Sequence, residues 1–220
     1  MDFQQVVRRR RMVRSFEDRP LPAKVVESLV TNAQRGPSAG FSQGVEFLVL
    51  NGKDETARYW DVSLPAGERE GFPWPGLLNA PLIIVPFAHP ATYLNRYAEP
   101  DKARRSGHAG RSGRSGHAGR SGRSGHAGRD PAPWPVPYWH VDAAFASLLV
   151  LLTAVDAGVG ALFFRVFRPE AVRAAFGVPD GYLPVGAIAV GYPAPEGDRP
   201  SSSALRGRRP PADVVHRGRW

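Results

Sequence analysis

The sequence contains no cysteine among its 220 residues. This absence excludes disulfide bonds, thiolate-bound zinc or iron–sulfur clusters, and catalysis by a cysteine nucleophile. Near the N-terminus, four consecutive arginines at 8–11 stand where a secretory signal would carry an apolar segment. We therefore expect a cytoplasmic protein, and we expect no metal site.

Long apolar runs are also scarce. The longest, Ala143 to Val155, is bounded by Asp142 and Asp156. It is too short for a membrane span, which needs about 20 residues. The run predicts a buried core helix over 139–157, and no membrane partner is expected.

Acidic residues are absent from 104–129, a segment that carries seven arginines and repeats the nonapeptide RSGHAGRSG. Because its largest apolar residue is alanine, it buries too little surface to offset the entropy of ordering it. We interpret it as a solvated insertion. Taking its seven charges from the net charge of +9 leaves +2, so the remaining chain is almost neutral. Nucleic acid is therefore not an expected partner.

Outside the insertion, helical and strand-like hydrophobic patterns alternate along the chain. This alternation indicates a mixed α and β fold, which we take as one domain over 1–220. The unbroken apolar run at 81–87 is typical of a strand buried on both faces. Helices are predicted over 3–12, 25–33, 54–62, 139–157 and 169–176, strands over 45–50, 81–87, 161–166 and 184–192, and a loop over 63–79.

Four short segments hold the residues that bear on function: 8–16, 36–44, 158–166 and 206–210. The first and last are rich in arginine, whose guanidinium fork matches phosphate oxygens. The second is rich in small residues, which let a flat ligand approach the backbone. The third begins with GVG but is no dinucleotide fingerprint, because the third glycine is missing and a helix precedes the strand. Taken singly, each fits a charged surface or an ordinary loop equally well.

Taken together and in this order, the segments resemble the FMN-dependent nitroreductase family. The chain has RRMVRSF where the family has an RRSVR-F-like segment, and GPSAGFSQGVEF where it has an APS-x-x-x-x-QPW-x-F-like loop. The resemblance covers nearly the whole chain except 63–79 and 101–135. It is carried by residues 10–16, 36–47, 158–160, 176–182, 191–193 and 206–215.

The resemblance implies an α+β, nitroreductase-like fold with a mainly antiparallel central sheet flanked by helices. It implies an intertwined homodimer with FMN at the dimer interface and a C-terminal arm that crosses onto the partner. The implied activity is that of an oxidoreductase. Electrons pass from NAD(P)H through the flavin to a nitroaromatic, a quinone or another small acceptor, and no side chain is required as an acid or base.

The resemblance also implies roles for individual residues. Arg10 would meet the phosphate or ribityl chain, Arg14 the pyrimidine edge of the flavin ring, and the backbone of 163–166 the N5 edge. Candidates for contact with the acceptor are Phe41, Tyr138 and His140. The implied cofactor-binding set is Arg10, Arg11, Met12, Arg14, Pro37, Ser38, Ala39, Gln43, Phe163, Phe164, Arg165, Val166, Arg206 and Arg208.

Some positions depart from the family pattern. Met12 replaces a serine that often contacts the flavin, Gly44-Val45 replaces Pro-Trp, and Arg165 can favour an anionic acceptor. At the start of the long helix, Tyr138, His140 and Asp142 are expected to cap the helix rather than to bind substrate. Two other functions stay open: a flavin-fragmenting enzyme that makes a benzimidazole, which the Pro37–Phe41 string resembles, and a flavin-storage protein without turnover.

Overall fold

The computed structural model describes residues 1–102, 134–196, 198 and 206–220. The arginine-rich insertion, and with it the interpretation of that segment as solvated, lies outside the described residues. The helices are α1 (Phe3–Arg9), α2 (Ala23–Ala33), α3 (Lys53–Ser63), α4 (Ala66–Arg69), α5 (Pro90–Ala98), α6 (Tyr138–Asp156) and α7 (Pro169–Ala175). The strands are β1 (Val45–Asn51), β2 (Leu82–Ala88), β3 (Gly160–Phe164), β4 (Leu183–Pro184) and β5 (Ala187–Gly191).

The strands form one sheet in the order β1-β2-β5-β3, and β4 pairs with β2 beside β5. Every strand pair in it is antiparallel, which confirms the predicted sheet type. The strand predicted over 184–192 is interrupted at residues 185–186. This break lies opposite Pro86, which has no N–H for a continuous ladder. A hydrogen bond from the Val185 N–H to the Pro86 carbonyl (3.0 Å) bridges the gap.

Both faces of the sheet are covered, as the apolar run at 81–87 predicts. All seven residues of β2 are buried. Ile84 packs on one face with α2 and α6, whereas Ile83 packs on the other with α3 and α7. The sheet therefore lies between two helical layers, and the core extends through it.

Helix α6 confirms the predicted core helix, although the predicted reason needs correction. Flanking residues extend the apolar run to a helix of 19 residues, long and apolar enough to cross a membrane by length and composition alone. Its packing on α2 and on β1 to β3 identifies it as a core helix instead. Gly158, at a φ of 75°, ends it in a left-handed turn that glycine adopts without strain.

The sequence patterns misplaced several elements. Helix α1 ends at Arg9 because the next residues pair with β3: the Val13 N–H donates to the Ala161 carbonyl (3.0 Å). The predicted loop over 63–79 contains α4 and a 3₁₀ turn at Pro75–Asn79. Strand β3 stops at Phe164, and α5, a helix of nine residues of which only Tyr93 and Leu94 are buried, was not predicted.

Candidate functional site

The N-terminal arginine segment lies along the free edge of β3. Met12 forms a parallel bridge with Ala161, and Phe16 forms an antiparallel bridge with Pro193. The arginines at 10, 11 and 14 therefore flank the strand that leads into residues 163–166. Tertiary pairing thus brings together two of the segments that the sequence singled out.

Arg10 is the member of this segment with an unmet hydrogen-bonding requirement. The residue is half-buried, and its Nη1 atom is buried without a hydrogen-bond partner among the described residues. An unpaired buried guanidinium nitrogen is costly, and an anionic ligand would satisfy it. Among the described residues beside β3, this atom therefore offers an anchor for an anion.

Asp198, which the sequence did not single out, engages the neighbouring arginines. Its carboxylate pairs with the Arg11 guanidinium and accepts the Arg14 backbone N–H at 2.8 Å. The Arg14 side chain donates to the Met12 carbonyl (3.3 Å) and lies over the Trp74 ring, 5.7 Å from its centroid. The implied contact of Arg11 with FMN stays a prediction, and it requires the ion pair between Arg11 and Asp198 to open.

Residues 163–166 offer a ligand their backbone more than their side chains. The Phe164 ring stacks on Trp60 in the core, with 5.6 Å between centroids. Phe163 packs against Gly186, where an added Cβ would lie 2.3 Å from the ring. Arg165 is exposed beyond the end of β3 and lies over Phe167, and Val166 is half-buried. The backbone role implied for this segment stays a prediction.

The glycine- and serine-rich segment borders a cleft of about 830 Å³ between α2, β1 and α6. This volume lies in the range of small-molecule sites, roughly 300–1,000 Å³. The lining includes Pro37, Ser38, Phe41 and Gln43, but not Ala39. The described residues contain no group of three or more histidines and carboxylates placed to hold a metal ion.

The loop at this cleft, residues 38–44, has an unusual backbone. Phe41 and Gln43 both have a φ of 56°, a strained left-handed conformation for residues other than glycine. The Ser38 hydroxyl accepts the Gln43 N–H at 2.8 Å, and Arg96 Nε donates to the Gly40 carbonyl at 2.9 Å. The loop is thus held in place, with Phe41 74% exposed at the rim of the cleft.

Asp142 corrects the prediction of a helix cap. The residue before α6 is Pro137, and no side chain caps this end. The buried Asp142 carboxylate instead reaches across to the cleft loop. Its Oδ2 accepts the Ala39 N–H (2.8 Å) and the Tyr93 hydroxyl (2.8 Å).

The two aromatic candidates on the first turn of α6 do not line the cleft. Tyr138 is exposed, and its ring lies 6.2 Å from the Trp134 ring. His140 is half-buried, and partial desolvation lowers its pKa. Its imidazole therefore favours the neutral form. Acceptor contacts by both residues stay predictions.

Arg206 and Arg208, the C-terminal arginines of the implied set, are exposed. No hydrogen bond or ion pair within the described ranges joins Arg206 or Arg208 to residues 10–14. Convergence of the two arginine clusters on one phosphate therefore does not occur within one described chain. It stays a prediction that depends on a partner subunit.

Alkaline pH is expected to weaken the fold through Tyr93. Burial, together with the hydrogen bond to Asp142 and the negative charge of that residue, raises the pKa of Tyr93 above its ordinary value of 10. The unfolded chain therefore loses this proton first. The contribution to stability is complete below about pH 10 and disappears as the pH rises further. Thermal melting between pH 7 and 11 should show a smaller alkaline decline in Tyr93→Phe than in the wild type.

Tyr138→Phe is the control for this experiment, because Tyr138 is exposed. Some alkaline decline should survive in Tyr93→Phe, since burial also raises the pKa of Tyr59, to about 12. An unchanged alkaline profile in Tyr93→Phe would contradict the assignment.

Comparisons with known proteins agree with this architecture. An archaeal relative from Methanothermobacter thermautotrophicus, assigned as an NADH dehydrogenase/NAD(P)H nitroreductase, is 23% identical over 199 residues, 88% of this chain and 78% of its own. A structure from Exiguobacterium sibiricum, assigned as a nitroreductase in complex with FMN, has a TM-score of 0.65 at 17% identity and 98% and 97% coverage. One from Staphylococcus epidermidis, assigned as an NAD(P)H:FMN oxidoreductase, has a TM-score of 0.66 at 20% identity and 98% and 95% coverage.

These structural similarities confirm the nitroreductase-like fold. The nitroreductase family model matches residues 7–192. Because that match spans most of the sequence, this chain belongs to the nitroreductase family.

Proposed function

We propose that this chain is an FMN-dependent oxidoreductase that takes electrons from NAD(P)H and passes them to a small nitroaromatic, quinone or similar acceptor. Family membership supports the reaction class, and relatives assigned as NAD(P)H oxidoreductases support the donor. The observation that carries the proposal is the buried Arg10 Nη1, which has no partner among the described residues beside the edge of β3.

The residues present fit FMN. Arg10 supplies a donor for the phosphate or ribityl chain, and Arg14 supplies a cation beside it. The strained loop at 38–44 and its cleft supply small residues and oriented backbone against a flat ring. When bound, FMN would provide a two-electron carrier at its N5 atom. The protein's part is to bind and orient the ring, to exclude water, and to place Arg165 where it favours an anionic acceptor.

Two copies of the chain are needed in this proposal. The hydrogen bonds of the arginine segment involve residues 10–16, Gly76, Ala161 and 192–198, whereas those of the cleft loop involve α5 and α6. No hydrogen bond within the described ranges joins the arginine segment to the cleft loop. A homodimer in which the loop of one subunit faces the arginines of its partner would complete the site.

Helix α6 carries the surface for this dimer. Its buried face packs on the sheet, and a second apolar row, exposed or half-buried, runs along its outer side at spacings of three and four residues. That spacing is typical of a seam between two helices. Phe145 and Leu148, at the middle of the row, are 42% and 45% exposed. The row comprises Tyr138, Val141, Phe145, Leu148, Leu152 and Val155.

Leu148→Glu is expected to convert the dimer into a monomer, because a carboxylate in the seam would be buried without a partner. Light scattering coupled to size-exclusion chromatography measures the mass. Leu183→Glu, which alters an exposed leucine on β4, is the control and should leave the dimer intact. A wild-type protein that is monomeric at tens of micromolar would contradict the homodimer.

FMN binding and NAD(P)H oxidation are tested with the purified protein. We expect a yellow protein whose released cofactor is identified as FMN by mass, and which oxidises NAD(P)H when menadione or a nitrofuran is added. A colourless protein that takes up no FMN at micromolar concentration would overturn the proposal. Bound FMN without NAD(P)H oxidation would favour storage, and a benzimidazole product formed in air would favour flavin fragmentation. With NAD(P)H as the donor, we place the enzyme in the cytoplasm.

A further inference from the structure

We propose that Asp142 is a positioning residue which, with Tyr93, holds the cleft loop at 38–44 in its strained conformation and so determines how tightly that loop binds its ligand. The inference rests on the proposed function, because the ligand in question is the flavin. It concerns a carboxylate and a tyrosine outside the set that the resemblance implies for cofactor and substrate.

One carboxylate oxygen carries the arrangement. Asp142 is 4% exposed, and its Oδ2 accepts both the Ala39 N–H and the Tyr93 O–H at 2.8 Å. Hydrogen bonds to an ionised acceptor are about twice as strong as neutral ones. The first bond fixes the loop to α6, and the second fixes α6 to α5. The oxygen therefore joins three elements at one point.

Tyr93 supports the loop directly with its ring as well as indirectly through the hydrogen bond from its hydroxyl to Asp142. Its fully buried ring packs against Gly44, where an added Cβ would lie 2.5 Å from the ring. Tyr97, one turn further along α5, packs against Gly40 in the same way, at 2.7 Å. The loop thus rests on two aromatic rings, and glycine is the residue that permits each contact.

Because the loop backbone is strained, this arrangement affects the conformation of the cleft as well as the stability of the fold. Left-handed φ angles at Phe41 and Gln43 persist only where the surroundings hold them. If the bond from Ala39 to Asp142 is lost, the loop can relax toward unstrained angles, and its amides and the Phe41 ring lose their orientation at the cleft. Asp142 therefore acts on the ligand through the loop.

The test compares Asp142→Leu with Asp142→Asn, in which the amide oxygen can still accept both hydrogen bonds. FMN affinity is measured by quenching of flavin fluorescence. Amide hydrogen exchange of the peptide covering 38–44 is measured on the apoprotein. We expect Asp142→Leu to weaken FMN binding by about tenfold and to speed exchange in this peptide. Asp142→Asn should restore both, and the visible circular dichroism of the bound flavin, close to wild type.

Asp156→Leu is the matched control, because Asp156 lies at the other end of α6 and pairs with the N-terminal amine on the surface. It should change neither measurement. A folded Asp142→Leu protein with wild-type affinity and wild-type exchange would overturn the proposal. So would an Asp142→Asn protein that is as impaired as Asp142→Leu.

If Asp142→Leu fails to fold, Tyr93→Phe replaces it, since that change removes one donor and keeps the ring. We expect faster exchange at 38–44 in Tyr93→Phe, and unchanged exchange would overturn the proposal. If the wild type binds no FMN, the proposed function fails separately. The exchange comparison on the apoprotein would still decide whether Asp142 holds the loop.

Discussion

Arg10→Ala is expected to weaken FMN binding by about 10-fold to 100-fold while leaving the melting temperature of the apoprotein unchanged or slightly higher. A hydrogen bond to a charged group contributes about 1.5–3 kcal/mol, and each 1.4 kcal/mol is tenfold in affinity. The free protein loses no hydrogen bond at Nη1, because this buried atom has no partner among the described residues. Fluorescence titration with FMN measures the affinity, and calorimetry measures the melting temperature.

Arg9→Ala is the matched control for Arg10→Ala. Arg9 is exposed at the last turn of α1, so its removal should change the FMN affinity by less than about twofold at physiological salt. Arg10→Lys should give an intermediate affinity, because an ammonium group keeps the charge and loses the planar fork. Equal affinities for the wild type and Arg10→Ala would remove Arg10 from the site and would weaken the proposed function.

The sequence predicted the elements whose signal is local. The apolar run at 81–87 needs no partner to indicate a doubly buried strand. The run at 143–155 likewise indicates an apolar helix, although its packing on α2 and the sheet is what identifies it as a core helix. The interruption between β4 and β5 was not predicted, because it depends on Pro86 in the neighbouring strand. Helix α5 was missed because few of its residues face the core.

The bonds that hold the candidate site join residues far apart in sequence. Asp142 and Ala39 are 103 positions apart, and Asp198 and Arg14 are 184 apart. No spacing rule connects such pairs. An acidic residue near the start of a helix is a good cap by local statistics, which is why the sequence favoured that role for Asp142. In the fold, the carboxylate instead accepts the Ala39 N–H and the Tyr93 hydroxyl.

Gly44 departs from the family motif, and the physical reason for this glycine becomes visible only in the structure. In the sequence, glycine in place of proline alters the stiffness of the loop. In the fold, the position lies against the Tyr93 ring, and a side chain would collide with it. Whether such a glycine loosens or tightens a loop depends on a neighbour about 50 residues away.

Trp60→Ala is expected to lower the free energy of unfolding by about 3–5 kcal/mol, the usual loss when a buried aromatic residue is truncated to alanine. Trp60 is 2% exposed, stacks on Phe164 and meets the Tyr59 ring edge-on at 5.1 Å. Urea unfolding measures the loss. Trp74→Ala, at a tryptophan that is 37% exposed, is the control and should cost about 1 kcal/mol or less.

The contact between Trp60 and Phe164 also separates the two roles that Phe164 can have. The resemblance implies that Phe164 contacts the flavin, whereas in the structure its ring stacks on Trp60 of α3. If the ring serves the core, Phe164→Ala should lower stability as Trp60→Ala does, and the folded fraction of each variant should keep its FMN affinity. A Phe164→Ala protein with wild-type stability and impaired FMN binding would instead indicate that the side chain contacts the cofactor. The backbone of 163–166 can serve the flavin in either case, because truncating the ring leaves its N–H groups in place.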